Sequence, residues 1–261
     1  MKKILVALLA IAMLFSFASC DNSGKEPAKA IETIDDLTAF AAQTGSFENT
    51  KEAYIANDIE ITSTVTISAE GLTLDSAEGV TVKVSAADGI AISGKNTTIK
   101  NVVFDASART VATDIIIINT SDVSITGCSF TGPTTAENGL VVYGIKGNTN
   151  TNITVDGNTF KSLRVPFYMD SHGVTPAPTW SFKNNTVDSC LKACIELASE
   201  SSFFTDNEFT NGLGTFDVEY AISYEPKATE EQAKALSEAN KGCKVQYGTG
   251  TYSPENQDVD A

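Results

Sequence analysis

Two nearby polar residues have the chemistry of an acid–base pair. Asp170 and His172 are separated by one residue, and an imidazole near a carboxylate can exchange protons with a bound molecule. Residues 143–152 and 169–178 read as insertions that expand the same corner of consecutive repeats, where Tyr143, Tyr168 and Glu196 are expected to converge with this pair. Tyrosine rings stack on sugars while polar groups bind hydroxyls. These five residues form the candidate ligand-binding site. Of the possible roles of this site, we rank a solvated loop without a function first, ligand binding second and catalysis third.

The N-terminus has the pattern of an export signal. Residues 1–3 are Met-Lys-Lys, and residues 4–17 are almost entirely apolar, a run too short for a comfortable membrane span. Small residues then precede Cys20, which resembles the lipobox of bacterial lipoprotein signals, although Phe17 departs from the usual Leu. The resemblance implies that Cys20 receives a diacylglyceryl lipid and becomes the new N-terminus. The alternative is an ordinary secretory peptide in which Cys20 is incidental.

The residues after Cys20 favour a tethered, exported protein. Residues 21–27 are polar and contain Gly and Pro, as expected of a flexible linker. The chain carries 33 acidic and 18 basic residues, a net charge of −15, so it lacks the basic surface that nucleic-acid binding needs. Anionic lipids would also repel it. We therefore expect the lipid on Cys20 to hold it at the bacterial cell membrane or outer membrane.

A repeat is the strongest signal in the rest of the chain. Five segments share the order apolar, two variable residues, a small or amide residue, one variable residue, apolar. They start at Ile99, Ile125, Val155, Phe182 and Phe204, which are 26, 30, 27 and 22 residues apart. Short β-branched runs precede each segment, so each repeat contains at least two short strands.

Two positions of the repeat indicate a tight corner. The third position holds residues that tolerate a left-handed backbone, namely Asn101, Gly127, Gly157, Asn184 and Asp206. The fourth position holds Val102, Cys128, Asn158, Asn185 and Asn207. We expect Asn158, Asn185 and Asn207 to stack as a hydrogen-bonded structural ladder that satisfies the amides of the turn. Cys128 is expected to be a buried free thiol.

This pattern predicts an all-β fold, a single-stranded parallel β-helix (solenoid) with short capping helices at both ends. It resembles the right-handed parallel β-helix of the pectin-lyase-like superfamily over roughly residues 52–225. A β-sandwich is the alternative, but the regular spacing and the asparagine column argue against it. Residues 33–43 and 229–240 predict amphipathic helices that would cover the open ends. Trp180 is in phase with Phe182 and is expected in the core.

The expected organisation has four parts. Residues 1–19 form the signal peptide, 20–30 a flexible tether, 31–248 the β-helix with its caps, and 249–261 a disordered tail. Cys190, Cys194 and Cys243 are available for disulfides in an exported protein, and their pairing stays open.

The outward positions of the repeat do not predict a hydrolytic or metal centre. Two rows of outward residues are expected, first Lys100, Thr126, Asp156, Lys183 and Thr205, and second Asp105, Thr131, Lys161, Asp188 and Thr210. Neither row supplies a calcium cage or the carboxylate pair of glycoside hydrolysis. With one His and no CxxC pair, zinc is not expected either. We predict no catalytic residues, no metal and no cofactor.

Three functional hypotheses follow. The first is a lipid-anchored envelope protein whose β-helix is a non-catalytic scaffold that binds a carbohydrate or a protein. The second is a polysaccharide lyase or hydrolase, because many members of the resembled superfamily cleave acidic polysaccharides. The third is a purely structural envelope protein. The missing acidic cluster favours the first hypothesis over the second, and an acidic protein would repel an anionic substrate.

Overall fold

Each copy of the repeat forms two short strands that meet at its third and fourth positions. In one copy the strands are Ile153–Asp156 and Thr159–Lys161, and Gly157 and Asn158 make the corner between them. All five third-position residues have a left-handed backbone, with φ between 54° and 65°. The sequence-based prediction of a left-handed corner is therefore confirmed.

The computed structural model describes residues 28–133, 142–148, 151–170, 179–195, 204–211, 221–223, 229–247 and 250–252. Its strands form three sheets, A, B and C, and successive coils stack as a β-solenoid of about six turns. Each coil passes through sheet A, then B, then C, so stacked strands from consecutive coils run parallel. The exception is the last pair of strands in sheet C, at the C-terminal end, which is antiparallel. This confirms the predicted all-β parallel solenoid.

The strands of each sheet, in spatial order, are as follows. Sheet A contains β1 (Lys29–Ile31), β2 (Glu52–Ile55), β5 (Thr73–Ser76), β8 (Thr97–Lys100), β11 (Val123–Thr126), β14 (Ile153–Asp156), β17 (Trp180–Lys183) and β20 (Phe204–Thr205). Sheet B contains β3 (Ile59–Ile61), β6 (Thr81–Val84), β9 (Val103–Asp105), β12 (Ser129–Thr131), β15 (Thr159–Lys161), β18 (Thr186–Asp188) and β21 (Glu208–Thr210). Sheet C contains β4 (Val65–Ile67), β7 (Asp88–Ile92), β10 (Thr113–Ile118), β13 (Val142–Asn148), β16 (Val165–Asp170), β19 (Lys192–Ile195), β22 (Ala221–Ser223), β23 (Lys244–Tyr247) and β24 (Gly250–Tyr252).

A column of aromatic rings runs along the inside of the solenoid. Phe104, Phe130 and Phe160 stack along sheet B with ring centroids 5.2 and 4.9 Å apart. Val187 is next in register on sheet B, but Phe182 of sheet A stacks on Phe160 at 5.7 Å instead. The column therefore moves from one sheet to another where the smaller valine leaves room. Such stacked rings add to the stabilisation that comes from burial alone.

The predicted inward and outward positions of the repeat are also confirmed. Trp180 and Cys128 are each only 2% exposed, so both lie inside as expected. The register of the strands also confirms the two outward rows, because Thr126 pairs with Lys100 and Asp156, and Thr131 with Asp105 and Lys161.

The N-terminal end of the solenoid is covered by helix α1 (Ile34–Ala42). Thr33 caps it, with a reciprocal hydrogen bond between the Thr33 backbone and the Asp36 side chain. Leu37 and Phe40 are buried against the first coil, and Phe40 packs edge-on to Phe47 of a 3-10 turn (Gly45–Phe47) at 6.0 Å. The amphipathic spacing predicted this cap, since a solenoid end left open would expose apolar side chains and strand edges.

The first strand lies across the predicted boundary between the tether and the β-helix domain. Strand β1 starts at Lys29, inside the segment assigned to the tether, and pairs with β2 from Lys29↔Ala53 to Ile31↔Ile55. Burial of Ile31 in the core explains why the last two tether residues, Lys29 and Ala30, join the sheet.

Helix α2 (Glu230–Glu238) covers the other end. Thr229 caps it, and Ala233 and Leu236 are buried, as their spacing predicted. Strand β23 follows the helix and pairs in parallel with β22. Strand β24 then pairs antiparallel with β23 and lies within residues 249–261, the segment predicted to be a disordered tail. Tyr252 packs against the core, and this contact accounts for the added strand.

Candidate functional site

The asparagines at the fourth repeat position lie in one buried column. The Nδ2 of Asn158 donates to Oδ1 of Asn185 at 3.0 Å, and Nδ2 of Asn185 donates to Oδ1 of Asn207 at 3.0 Å. The backbone N–H groups of Asn158 and Asn185 donate to the same oxygens, each at 2.9 Å. Each of these asparagines is 1% exposed, so water cannot satisfy its amide groups. The hydrogen bonds along the column provide partners for them inside the protein.

The ladder extends beyond the repeat. Asn240 Oδ1 accepts from Nδ2 of Asn207 at 2.7 Å, and Nδ2 of Asn240 donates to the Phe204 and Leu236 carbonyls at 2.9 and 2.8 Å. At the opposite end, the N–H of Cys128 donates to Oδ1 of Asn158 at 2.8 Å. Sequence reasoning missed Asn240, because it follows helix α2 and belongs to no copy of the repeat.

The outer surface of sheet C brings two residues of the predicted ligand site together. We call Asp88, Asp114, Tyr143, Lys146 and Tyr168 the sheet C face; their side chains are partly exposed. Asp88, Asp114 and Tyr143 are in register on consecutive coils, and Lys146 is in register with Tyr168. Neighbouring strands are about 4.8 Å apart, so this register places the side chains within contact distance.

The two tyrosines form the aromatic part of this face. Their ring centroids are 5.5 Å apart and the ring planes are inclined by 60°. Both rings keep an exposed portion, as a surface that binds the apolar side of a sugar would require. The two tyrosines are 25 positions apart in sequence, so the pairing of strands from consecutive coils brings them together.

Lys146 and Asp114 add a fixed charge pair that sequence reasoning missed. Nζ of Lys146 donates to Oδ2 of Asp114 at 2.9 Å and lies 5.2 Å from the centre of the Tyr143 ring. The side chain of Asp114 is only 14% exposed. The hydrogen bond to Asp114 is the main cause that raises the pKa of Lys146, and the charge of Asp88 adds to it. The lysine is therefore a cation held on this surface.

The strand that carries Tyr143 and Lys146 corrects an expectation. The sequence suggested an expanded corner from residue 143 onward, but β13 continues as strand to Asn148, and β16 to Asp170. Gly144 makes this possible, because a Cβ atom there would lie 2.5 Å from the Pro166 carbonyl oxygen. The glycine therefore permits close approach of the two strands.

The remaining predicted site residues are only partly located. Asp170 ends β16, with its backbone in register with Asn148, and its side chain is outside the described part. His172 and Glu196 lie outside the described residues, as does Cys20. The structure therefore brings together Tyr143 and Tyr168 of the five ligand-site candidates.

The outer surfaces of sheets A and B differ from the sheet C face. Their charged residues pair along the rows, with Asp75 and Lys100 at 3.0 Å on sheet A, and Glu60 and Lys83 at 3.1 Å on sheet B. Exposed pairs of this kind add little stability, but they do compensate charge across each surface. No such row presents two aromatic rings in contact within the described residues.

The thiols of the described residues are buried and unpaired. Cys128, Cys190 and Cys243 are free thiols, so none of the disulfides that the sequence left open for Cys190 and Cys243 is formed. Burial raises the pKa of Cys128 and of Cys190 to about 12. Within those ranges no group of three or more His, Cys, Asp or Glu side chains is arranged to hold a metal ion.

Comparison with known proteins adds no relative. No protein-family model matches the chain, and searches of curated proteins and of solved structures gave no significant match. Over the described residues, no helix has both the length and the apolar character needed to cross a bilayer.

Proposed function

We propose that this chain is a lipid-anchored protein of the bacterial cell envelope whose β-solenoid is a non-catalytic scaffold for binding glycans. The observation that carries the binding proposal is the contact of Tyr143 with Tyr168 on the sheet C face. Tyrosine supplies an apolar surface with a polar tip, which suits the alternating apolar and hydroxyl surfaces of a sugar. The fold and its asparagine ladder support a structural relationship to the pectin-lyase-like superfamily.

The anchoring proposal rests on the N-terminal residues. A basic start, a short apolar run and small residues before Cys20 are typical of a lipoprotein signal. A net charge of −15 would push the protein away from anionic lipids, so a covalent lipid is the means of attachment that fits this composition. The localisation that follows is the cell membrane or the outer membrane.

Labelling with radioactive palmitate in the producing bacterium tests the anchor. The native chain should carry label, and Cys20→Ser should lose it. Ser19→Ala is a matched control, because it keeps a small residue before the cysteine and should retain the label. Persistence of label in Cys20→Ser would contradict the anchor.

A glycan array with the full-length protein in detergent tests binding. Tyr143→Ala and Tyr168→Ala should each weaken binding, and Tyr54→Ala should not, because Tyr54 is a partly exposed tyrosine on sheet A. Binding to no glycan would favour a purely structural envelope protein. Incubation with uronate polymers, followed by the absorbance of unsaturated products, tests for catalysis, and turnover would contradict a non-catalytic scaffold.

A further inference from the structure

The sheet C face has one cation and two nearby carboxylates. Lys146 donates to Asp114 at 2.9 Å, and Asp88 is in register with Asp114 on the preceding coil. The hydrogen bond to Asp114 is the main cause that raises the pKa of Lys146, so the lysine stays protonated.

The position of Lys146 also limits what the cation can bind. It lies between the Tyr143 ring, 5.2 Å from its centroid, and the partly buried carboxylate of Asp114. An anionic ligand that bound Lys146 would have to share this cation with the carboxylate of Asp114, which is only 14% exposed. Weakening the pairing of a poorly solvated carboxylate is expensive, and Asp114 and Asp88 would repel an anion placed beside them.

We propose that the sheet C face binds uncharged glycans and excludes uronates. Asp114 determines this specificity, because its ion pair with Lys146 keeps the lysine from binding a ligand carboxylate. This inference rests on the proposed function and names its ligand class. The tyrosine rings contribute stacking to a neutral pyranose, and the carboxylate oxygens accept hydrogen bonds from its hydroxyl groups. Asp114 acts through Lys146 and is thus a specificity-determining residue.

The test compares three classes of hexasaccharide by calorimetry on the full-length protein in detergent. A panel of neutral hexasaccharides that includes cellohexaose represents uncharged glycans, hexagalacturonate represents uronates, and a glucosamine hexamer represents cationic sugars. The native protein should bind a neutral hexasaccharide most tightly. Tyr143→Ala or Tyr168→Ala should weaken that binding about tenfold, the effect of losing about 1.4 kcal/mol of contact.

Removing the ion pair between Asp114 and Lys146 tests the specificity itself. Asp114→Asn should gain binding to hexagalacturonate by about tenfold, with a dependence on salt, because Lys146 is then available to a carboxylate. Glu60→Gln is the matched control: it changes the net charge equally and breaks an exposed pair with Lys83 on sheet B, so it should give no gain. Lys146→Met combined with Asp114→Asn should abolish the gain.

The outcomes separate this inference from the proposed function. Tighter binding of hexagalacturonate or of the glucosamine hexamer by the native protein would overturn the inference and leave glycan binding standing. Neutral binding that is unchanged in both tyrosine variants would show that another surface is used. Binding to none of the saccharides would overturn the proposed function, and the inference with it. Because native selectivity needs no variant, the test holds even if Asp114→Asn fails to fold, which circular dichroism would reveal.

Discussion

The side chain of Asn207 donates a hydrogen bond to Oδ1 of Asn240 at 2.7 Å, and this contact joins the last coil of the solenoid to the end of helix α2. Asn240 is fully buried and also donates to the carbonyls of Phe204 and Leu236. One amide therefore satisfies groups from both the solenoid and its cap. The ladder and the cap should gain stability from each other.

Asn240→Ala should destabilise the protein by about 2–4 kcal/mol, because the buried donors of Asn207 and the carbonyls of Phe204 and Leu236 lose their hydrogen bonds to Asn240. Urea unfolding followed by the fluorescence of Trp180, the single tryptophan, measures the loss. Asn57→Ala is the control. Asn57 makes an exposed 3.4 Å hydrogen bond to the Glu32 carbonyl, so its loss should stay within about 0.5 kcal/mol. Equal stability of the two variants would contradict the role of Asn240.

Val187→Phe should destabilise the protein even though phenylalanine occupies the register position on the preceding coil. Phe182 of sheet A already stacks on Phe160, so a second ring at position 187 would overfill the core and cost about 1–3 kcal/mol. The thermal midpoint measures the change. Val103→Phe serves as the control, since Val103 is 36% exposed on the outside of sheet B and should tolerate the larger ring. A stabilised Val187→Phe variant would contradict the finding that Phe182 of sheet A fills the space beside Val187.

Gly157→Ala should cost about 1–2 kcal/mol through backbone strain alone. Gly157 has φ of 65°, and a Cβ atom built there would meet nothing within 4 Å, so steric clash with neighbours plays no part. Gly157→Asn should cost less, because asparagine adopts this conformation at Asn101 and Asn184 in the same corner. Chemical denaturation of the two variants measures the difference. If alanine were tolerated as well as asparagine, the corner would not require a left-handed residue.

Cys128, Cys190 and Cys243 should resist alkylation in the native protein. Burial raises the pKa of all three thiols, to about 12 for Cys128 and Cys190, so thiolate is scarce at pH 8 and the sulfur atoms are inaccessible. Iodoacetamide labelling followed by peptide mass spectrometry should find these three cysteines unmodified in buffer and modified in concentrated urea. Rapid labelling in buffer would mean that the coils open readily.

The local geometry of the solenoid follows largely from sequence. Apolar residues five positions apart, with a left-handed residue between them, predict two strands and a sharp corner wherever they occur. Because the repeat is nearly regular, equivalent residues stack, and this is sufficient to align Asn158, Asn185 and Asn207. The end helices were also predictable, since capping residues and amphipathic spacing are local signals.

Other features depended on contacts between distant parts of the chain. Asn240 joined the ladder because helix α2 docks on the last coil, and no repeat marks that residue. Phe182 replaced the missing ring at Val187 because the interior is narrow enough for side chains of two sheets to meet.

The ligand face was the least predictable part. Types and spacing single out Tyr143 and Tyr168, but the neighbouring pair of Lys146 and Asp114 spans 32 positions. Whether residues 143–148 form a loop or a strand depended on how closely Gly144 could approach Pro166 on the next coil. Sequence therefore determined the coil and its corners, which obey local backbone preferences. Only the tertiary structure decided which charges meet the aromatic rings, because stacking register is set by packing between coils.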